Sequence, residues 1–225
     1  MKLHRFFGEI ILFFSILVAF LLPPIFSQNQ NFNSQFEWNF PLNQLLLGLF
    51  AFFVFIFEQK NSNNYSFTNN SKKFFTKKNI IITAITFLSL CFIVFFLETI
   101  AFFLKSNNPQ ISVAPLDKKI KIFFCLLNFI FSAFFEEVIY RLYLPQQLKR
   151  FFSNIQNEKI KKYIPELITI ILFALAHKYL GIYAMINAFF ACIVLRICYI
   201  KTQNIITNTI AHFLYNITSL IILLI

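Results

Sequence analysis

Charged residues are scarce in this chain. Asp, Glu, Lys and Arg make up only 13% of its 225 residues, whereas the hydrophobic types, including Cys and the aromatics, make up 58%. Soluble domains carry about 25% charged residues, and a soluble fold of this size cannot bury so much apolar surface. The composition therefore excludes an ordinary soluble globule and predicts that much of the apolar surface faces lipid.

Acidic residues are rarer still, with 9 Asp and Glu against 20 Lys and Arg, which gives a net charge of +11. A nucleic-acid-binding protein would gather such an excess on one water-exposed face. Here the basic residues lie in short segments between apolar runs, so we expect no nucleic-acid partner. The four cysteines form no C-x-x-C pair, which disfavours both a zinc ribbon and a secreted disulfide framework.

Long apolar runs dominate what is present. A membrane-spanning helix needs about 20 predominantly apolar residues. Joining runs that a single ionisable residue interrupts predicts an all-α fold, a polytopic integral membrane bundle of about seven transmembrane helices. The expected spans are Phe6–Phe26, Leu42–Phe57, Asn79–Leu104, Ile120–Tyr143, Tyr163–Lys178, Ile182–Tyr199 and Asn204–Leu224.

Lysine and arginine are distributed unevenly between the two sides of this bundle. With a cytoplasmic N-terminus, most of them fall on the inner side, near Lys2, Lys72, Lys161 and Lys201, and fewer fall outside, near Lys118. Because cytoplasmic loops carry an excess of basic residues, we expect a multi-pass protein of the cell (inner or plasma) membrane with its N-terminus in the cytoplasm. The compact loops and the Phe-, Ile-, Asn- and Lys-rich composition indicate a bacterial source.

Two adjacent carboxylates, Glu136 and Glu137, interrupt the fourth span. Ionisable groups inside a membrane span are costly and mark candidate functional positions. Glu137 and Arg141 are four residues apart, so they share a helix face and are expected to form an ion pair. Glu136 points about 100° away and, desolvated beside a like charge, is left to accept a proton near neutral pH. Taken alone, these residues are equally compatible with an ion pair that only stabilises the helix.

Two of the three histidines also lie in predicted spans. The fifth span contains Phe173 and His177, and the seventh contains His212 and Asn216, each pair four residues apart and so on one helix face. A single buried histidine is usually structural. Two histidines and a carboxylate pair on three separate helices predict a catalytic constellation instead.

Such a set suits hydrolysis in two ways. Glu136, His177 and His212 would hold a divalent metal, with Zn²⁺ favoured, and leave one position open for water. Alternatively, Glu136 and His177 activate a water without metal, while His212 and the Asn216 amide donate to a developing oxyanion. The spacing is equally compatible with both. The chain lacks H-E-x-x-H and G-x-S-x-G, which excludes a zincin and disfavours a rhomboid-like serine nucleophile.

These motifs resemble those of the CAAX-protease and bacteriocin-processing family (CPBP, also called Abi) in type and in order. The matching residues are Glu136-Glu137-x-x-x-Arg141, Phe173-x-x-x-His177 and His212-x-x-x-Asn216. The resemblance covers about residues 120–224. It implies an intramembrane endopeptidase, by habit termed a metalloprotease, related to the type II CAAX prenyl endopeptidases.

The resemblance also implies a role for each catalytic residue. Glu136 would be the general base that activates the attacking water. His177 would position that water or move its proton. His212 and Asn216 would stabilise the oxyanion.

Supporting roles follow for the neighbouring motif residues. Glu137 would support the catalytic carboxylate, Arg141 would pair with Glu137 to hold the helix, and Phe173 would pack one turn below the motif histidine. Leu142 departs from the family, in which a small residue often follows the arginine. The departure affects the local packing of the helix and not the catalytic groups.

The catalytic groups must lie at a common depth in the membrane. At a rise of about 1.5 Å per residue, Glu136 reaches the depth of the two histidines only if the fourth helix continues past Pro145 toward Arg150. Proline permits this with a kink. We therefore expect the fourth helix to extend beyond its purely apolar part.

The leading hypothesis is an intramembrane endopeptidase that acts, among membrane lipid, on a membrane-associated protein or peptide. The alternative is a non-catalytic membrane protein of the same fold that serves in bacteriocin self-immunity or as a binding scaffold. A transporter ranks third, because it predicts an internal repeat and the ionisable span residues concentrate in the second half. We expect a three-helix region without motifs at 1–119 and a catalytic helical core at 120–225.

Overall fold

The chain folds into nine α-helices over the residues that the computed structural model describes, which are 2–26, 39–61, 76–103 and 119–224. The basic loops expected around Lys72 and Lys118 lie outside these ranges. The helices are α1 (Lys2–Ile16), α2 (Leu22–Phe26), α3 (Leu42–Asn61), α4 (Lys77–Phe103), α5 (Lys119–Glu137), α6 (Leu144–Phe151), α7 (Glu158–Leu175), α8 (Ile182–Thr202) and α9 (Ile205–Leu224).

Within these ranges, two π-helical turns interrupt the longer helices. Leu17–Leu21 joins α1 to α2, and Val138–Tyr143 joins α5 to α6. The second is called the π segment below. It follows Glu137 directly, so the expected catalytic carboxylates sit at the point where the regular helix changes its winding.

Among the described residues, seven helical stretches are long and apolar enough to cross a membrane. They are Gly8–Phe26, Leu42–Lys60, Lys77–Phe103, Lys119–Asn154, Glu158–Leu180, Ile182–Thr202 and Ile205–Ile222. The predicted number of spans and the all-α multi-pass bundle are confirmed.

The fourth and fifth spans are longer than their apolar runs predict. The fourth continues through the π segment and α6 instead of ending at Tyr143, as the depth argument requires. Pro145 is tolerated because it lies in the first turn of α6, where a missing N–H costs little. The fifth begins at Glu158 rather than Tyr163, because a side-chain cap starts the helix ahead of its apolar part.

Asparagine caps set where the histidine-bearing helices begin. Asn157 Oδ1 accepts hydrogen bonds from Lys159 N and Ile160 N at 3.0 and 3.3 Å, at the start of α7. Asn204 Oδ1 accepts one from Ile206 N at 2.9 Å, at the start of α9. Such caps satisfy N–H groups that lack a partner inside the helix.

The π segment lies at the centre of the helix packing. All six of its residues are buried. Helix α3 packs on α5 and on the π segment, α9 packs on α5, and α7 packs on α6 and α8. Helix α4 packs on α8 and α9 and leaves a long apolar face exposed. The segment that follows the two glutamates is therefore enclosed by helices from both halves of the chain.

Helices α3 and α5 approach closely at a glycine. A Cβ atom added to Gly48 would lie 2.7 Å from Cδ1 of Phe131, which is too close for two carbon atoms. Small residues allow such close approach between membrane helices. The contact fixes the position of α5, and hence of its C-terminal glutamates, against α3.

We expect Gly48→Ala to destabilise the protein by about 1–3 kcal/mol, because the Phe131 ring must move to admit the methyl group. Thermal unfolding in detergent measures the effect. The matched control is Gly8→Ala, since a Cβ atom there meets nothing within 4 Å and alanine favours a helix. Equal behaviour of the two variants would contradict the close approach of α3 and α5.

Candidate active site

Glu137 is fully buried, accepts hydrogen bonds from two side chains and forms an ion pair with a third. Its Oε2 lies 3.2 Å from Arg141 Nε and accepts a hydrogen bond from Asn208 Nδ2 at 3.0 Å. Its Oε1 accepts from His212 Nδ1 at 2.8 Å. The ion pair expected from the four-residue spacing between Glu137 and Arg141 is present. Glu137 is therefore neutralised and tied to α9, and it has little capacity left to accept a proton.

Glu136 has the opposite environment. Its side chain is 23% exposed, and its Oε2 lies 3.7 Å from Nε2 of His212, beyond hydrogen-bond length. Among the described residues no group donates to this buried oxygen. Of the two adjacent carboxylates, Glu136 is the one with unused acceptor capacity.

His212 lies between the two glutamates. Because a carboxylate only accepts hydrogen bonds, the bond to Glu137 places a proton on His212 Nδ1. The other ring nitrogen, Nε2, then faces Glu136. One carboxylate thus fixes the orientation of the imidazole, and the imidazole presents its second nitrogen to the other carboxylate.

His177 lies just past the end of α7, in the turn before Lys178–Leu180. Its Nδ1 donates to the carbonyl of Phe173 at 2.8 Å, and the two rings are 4.7 Å apart. This bond leaves Nε2 of His177 available. Within the described part of the chain, no hydrogen bond or ion pair joins His177 to a glutamate.

Phe173 connects this turn to the glutamate helix. The guanidinium carbon of Arg141 lies 4.6 Å from the centre of the Phe173 ring, and the Tyr140 ring packs edge-on at 4.8 Å. Tyr179, two residues after His177, is close enough to Glu136 to interact with it electrostatically. The end of α7 therefore lies beside the carboxylates.

Arg141 has a further partner that the sequence did not indicate. Its Nη1 donates to Cys192 Sγ of α8 at 3.2 Å, and the whole side chain is buried. A buried cation needs partners on several sides because water is excluded. Glu137, the Phe173 ring and the Cys192 sulfur supply them from three helices.

Asn208 was missed by the sequence analysis, which selected Asn216. Asn216 is half-buried one turn after His212, and among the described residues no hydrogen bond joins it to His212 or to either glutamate. Asn208 is one turn before His212, is fully buried, and donates to Glu137 and to the Leu195 carbonyl. Its spacing of four from His212 on the same helix face was the available signal.

The predicted metal ligands do not form a compact set. Within the described ranges, no three His, Cys, Asp or Glu side chains are grouped so that they could hold a metal ion. One nitrogen of His212 is engaged by Glu137 and one of His177 by a carbonyl. The set Glu136, His177 and His212 stays a prediction, and the steps derived below do not involve a metal.

Residues 118–218 match the family described as type II CAAX prenyl endopeptidase Rce1-like. No curated protein and no solved structure matches the chain. The family match covers all three motifs and confirms the resemblance to the CAAX-protease family. It supports an intramembrane endopeptidase of the CAAX-protease type, and its coverage begins close to the start of α5.

We expect Asn208→Ala to lower the free energy of unfolding by about 1–3 kcal/mol, because Glu137 and the Leu195 carbonyl both lose a buried donor. Thermal unfolding in detergent measures this loss. Ile221→Ala is the control on the same helix, since the Ile221 side chain is exposed. An unchanged melting temperature for Asn208→Ala would show that Glu137 does not need this donor.

Proposed function

We propose that the protein hydrolyses a peptide bond of a membrane-associated protein or peptide, with Glu136 as the general base. The match of residues 118–218 to the type II CAAX prenyl endopeptidase Rce1-like family supports this proposal. The observation that carries the proposal is the position of His212, whose Nδ1 is held by Glu137 at 2.8 Å and whose Nε2 lies 3.7 Å from Glu136. This arrangement gives the two adjacent glutamates different tasks.

The reacting water sits between Glu136 and His212. Oε2 of Glu136 and Nε2 of His212 are 3.7 Å apart, so both can contact one water oxygen at about 2.8 Å, Glu136 as the acceptor and the protonated imidazole as the donor. Glu136 takes a proton from that water, and the oxygen attacks the carbonyl carbon of the substrate. The carbon–nitrogen bond then breaks, and the proton passes from Glu136 to the leaving amine.

The remaining motif residues orient the groups and stabilise charge. The Nδ1 atom of His177 is fixed by the Phe173 carbonyl. Its Nε2 atom therefore contacts the water and orients it toward the substrate carbonyl carbon. His212 and Asn216 stabilise the oxyanion. Glu137 and Arg141 keep the imidazole of His212 and the end of α5 in register.

The substrate is membrane-associated because the carboxylates lie within a spanning stretch, Lys119–Asn154. The proposed setting is the cell membrane with the N-terminus in the cytoplasm, on the basis of the distribution of Lys and Arg. Lys149 and Arg150, near the end of the fourth span, then face the cytoplasm.

We expect Glu136→Gln to abolish proteolysis, because the amide keeps the shape of the side chain but cannot take the proton. The loss should be at least about 100-fold, the lower range for a general base. The measurement compares new peptide termini in membranes of cells that lack the protein and are complemented with wild type or variant at matched folded levels.

Glu98→Gln is the control, since it removes a carboxylate from an exposed position of α4. Termini present with the wild type and the control but absent with Glu136→Gln would support the proposal and identify the substrate. Identical termini for wild type and Glu136→Gln, with any phenotype still rescued, would refute it in favour of a binding or immunity protein.

A further inference from the structure

Arg196 of α8 bonds to the backbone of the π segment. Its Nη1 donates to the Arg141 carbonyl at 2.6 Å. A side chain from another helix thus holds the backbone beside the candidate site.

The same guanidinium also holds α7. Arg196 Nη2 donates to Glu166 Oε1 at 2.6 Å, and Lys149 of α6 donates to the same oxygen at 2.6 Å. Only 13% of the Arg196 side chain is exposed. One residue of α8 therefore bonds both to the π segment that follows Glu137 and to α7, the helix that ends just before His177.

We propose that Arg196 is a positioning residue for the candidate active site. It holds the π segment at the Arg141 carbonyl, and it fixes the two site-bearing elements relative to each other through Glu166. This inference deepens the proposed function and rests on it only for the effect on activity. The effect on the geometry of the site is measurable without a substrate.

The histidine signals give that measurement. The chain has only three histidines, so a protein labelled with ¹⁵N-imidazole histidine in detergent gives three sets of ring signals, assigned with His4→Gln and His177→Gln. We expect Arg196→Met to shift the His212 ring signals, because the π segment carries Arg141, which shares Glu137 with His212. Lys201→Met, which removes an exposed cation from the same helix, should leave these signals unchanged.

Proteolysis should fall with the change in geometry. We expect a loss of roughly 10- to 100-fold for Arg196→Met, the range that follows from small misplacement of catalytic groups, and a smaller loss for Arg196→Lys, which keeps the charge and one donor. Glu166→Gln weakens the contact with α7 and leaves the bond of Arg196 to the Arg141 carbonyl in place. It should therefore shift the His212 signals less than Arg196→Met.

A purely structural Arg196 would lower the unfolding temperature of Arg196→Met and leave the His212 signals of the folded protein as in the wild type. That result would overturn the inference. An equal shift for Glu166→Gln and Arg196→Met would overturn the action through the Arg141 carbonyl. Shifted signals together with a wild type that produces no new peptide termini would refute the proposed function and support the positioning role.

Discussion

The burial of the Glu137 carboxylate is the constraint on which the candidate site depends. A carboxylate removed from water is costly unless donors surround it. The π segment supplies the positive charge of Arg141, and α9 supplies the donors Asn208 and His212. The fourth and seventh spans therefore cannot slide or rotate against each other without exposing an unpaired charge to an apolar interior. The same bonds that neutralise Glu137 also orient the imidazole next to Glu136.

A second set of buried polar contacts joins the first spans to this core. Glu58 of α3 is 1% exposed and accepts from Gln147 Nε2 at 2.9 Å and from Arg150 Nη2 at 2.8 Å. Arg150 also lies 3.2 Å from Glu9 of α1. Helix α6 is thus held by polar groups of α1 and α3 on one side and by Glu166 of α7 on another. The region without motifs at 1–119 contacts the helix that continues from the two glutamates, and its separation from the core as a domain stays a prediction.

The sequence was sufficient for the features that depend on composition and helical spacing. Apolar run length predicts seven spans, and a spacing of four predicts the pair of Glu137 with Arg141. The sequence was insufficient where two residues that bond to each other are far apart in the chain. Asn208 resembles any polar residue of a helix, and only the packing of α9 on α5 brings it to Glu137. Hydrophobic periodicity cannot reveal the π segment. All six of its residues are buried, so no alternation of buried and exposed positions marks the change of winding.

The winding of the π segment makes chain length itself a determinant of the site. A π turn takes up one more residue than an α turn and leaves the flanking helices in phase. Removal of one residue from Val138–Tyr143 would restore regular winding with α6 in about the same orientation relative to α5, so Glu58 and Glu166 could keep their partners on α6. The change would fall on the side chains of the segment itself, among them Arg141. A one-residue gap in this stretch, when related sequences are aligned, would therefore indicate a change of winding beside the carboxylates and not a change in the packing of α6.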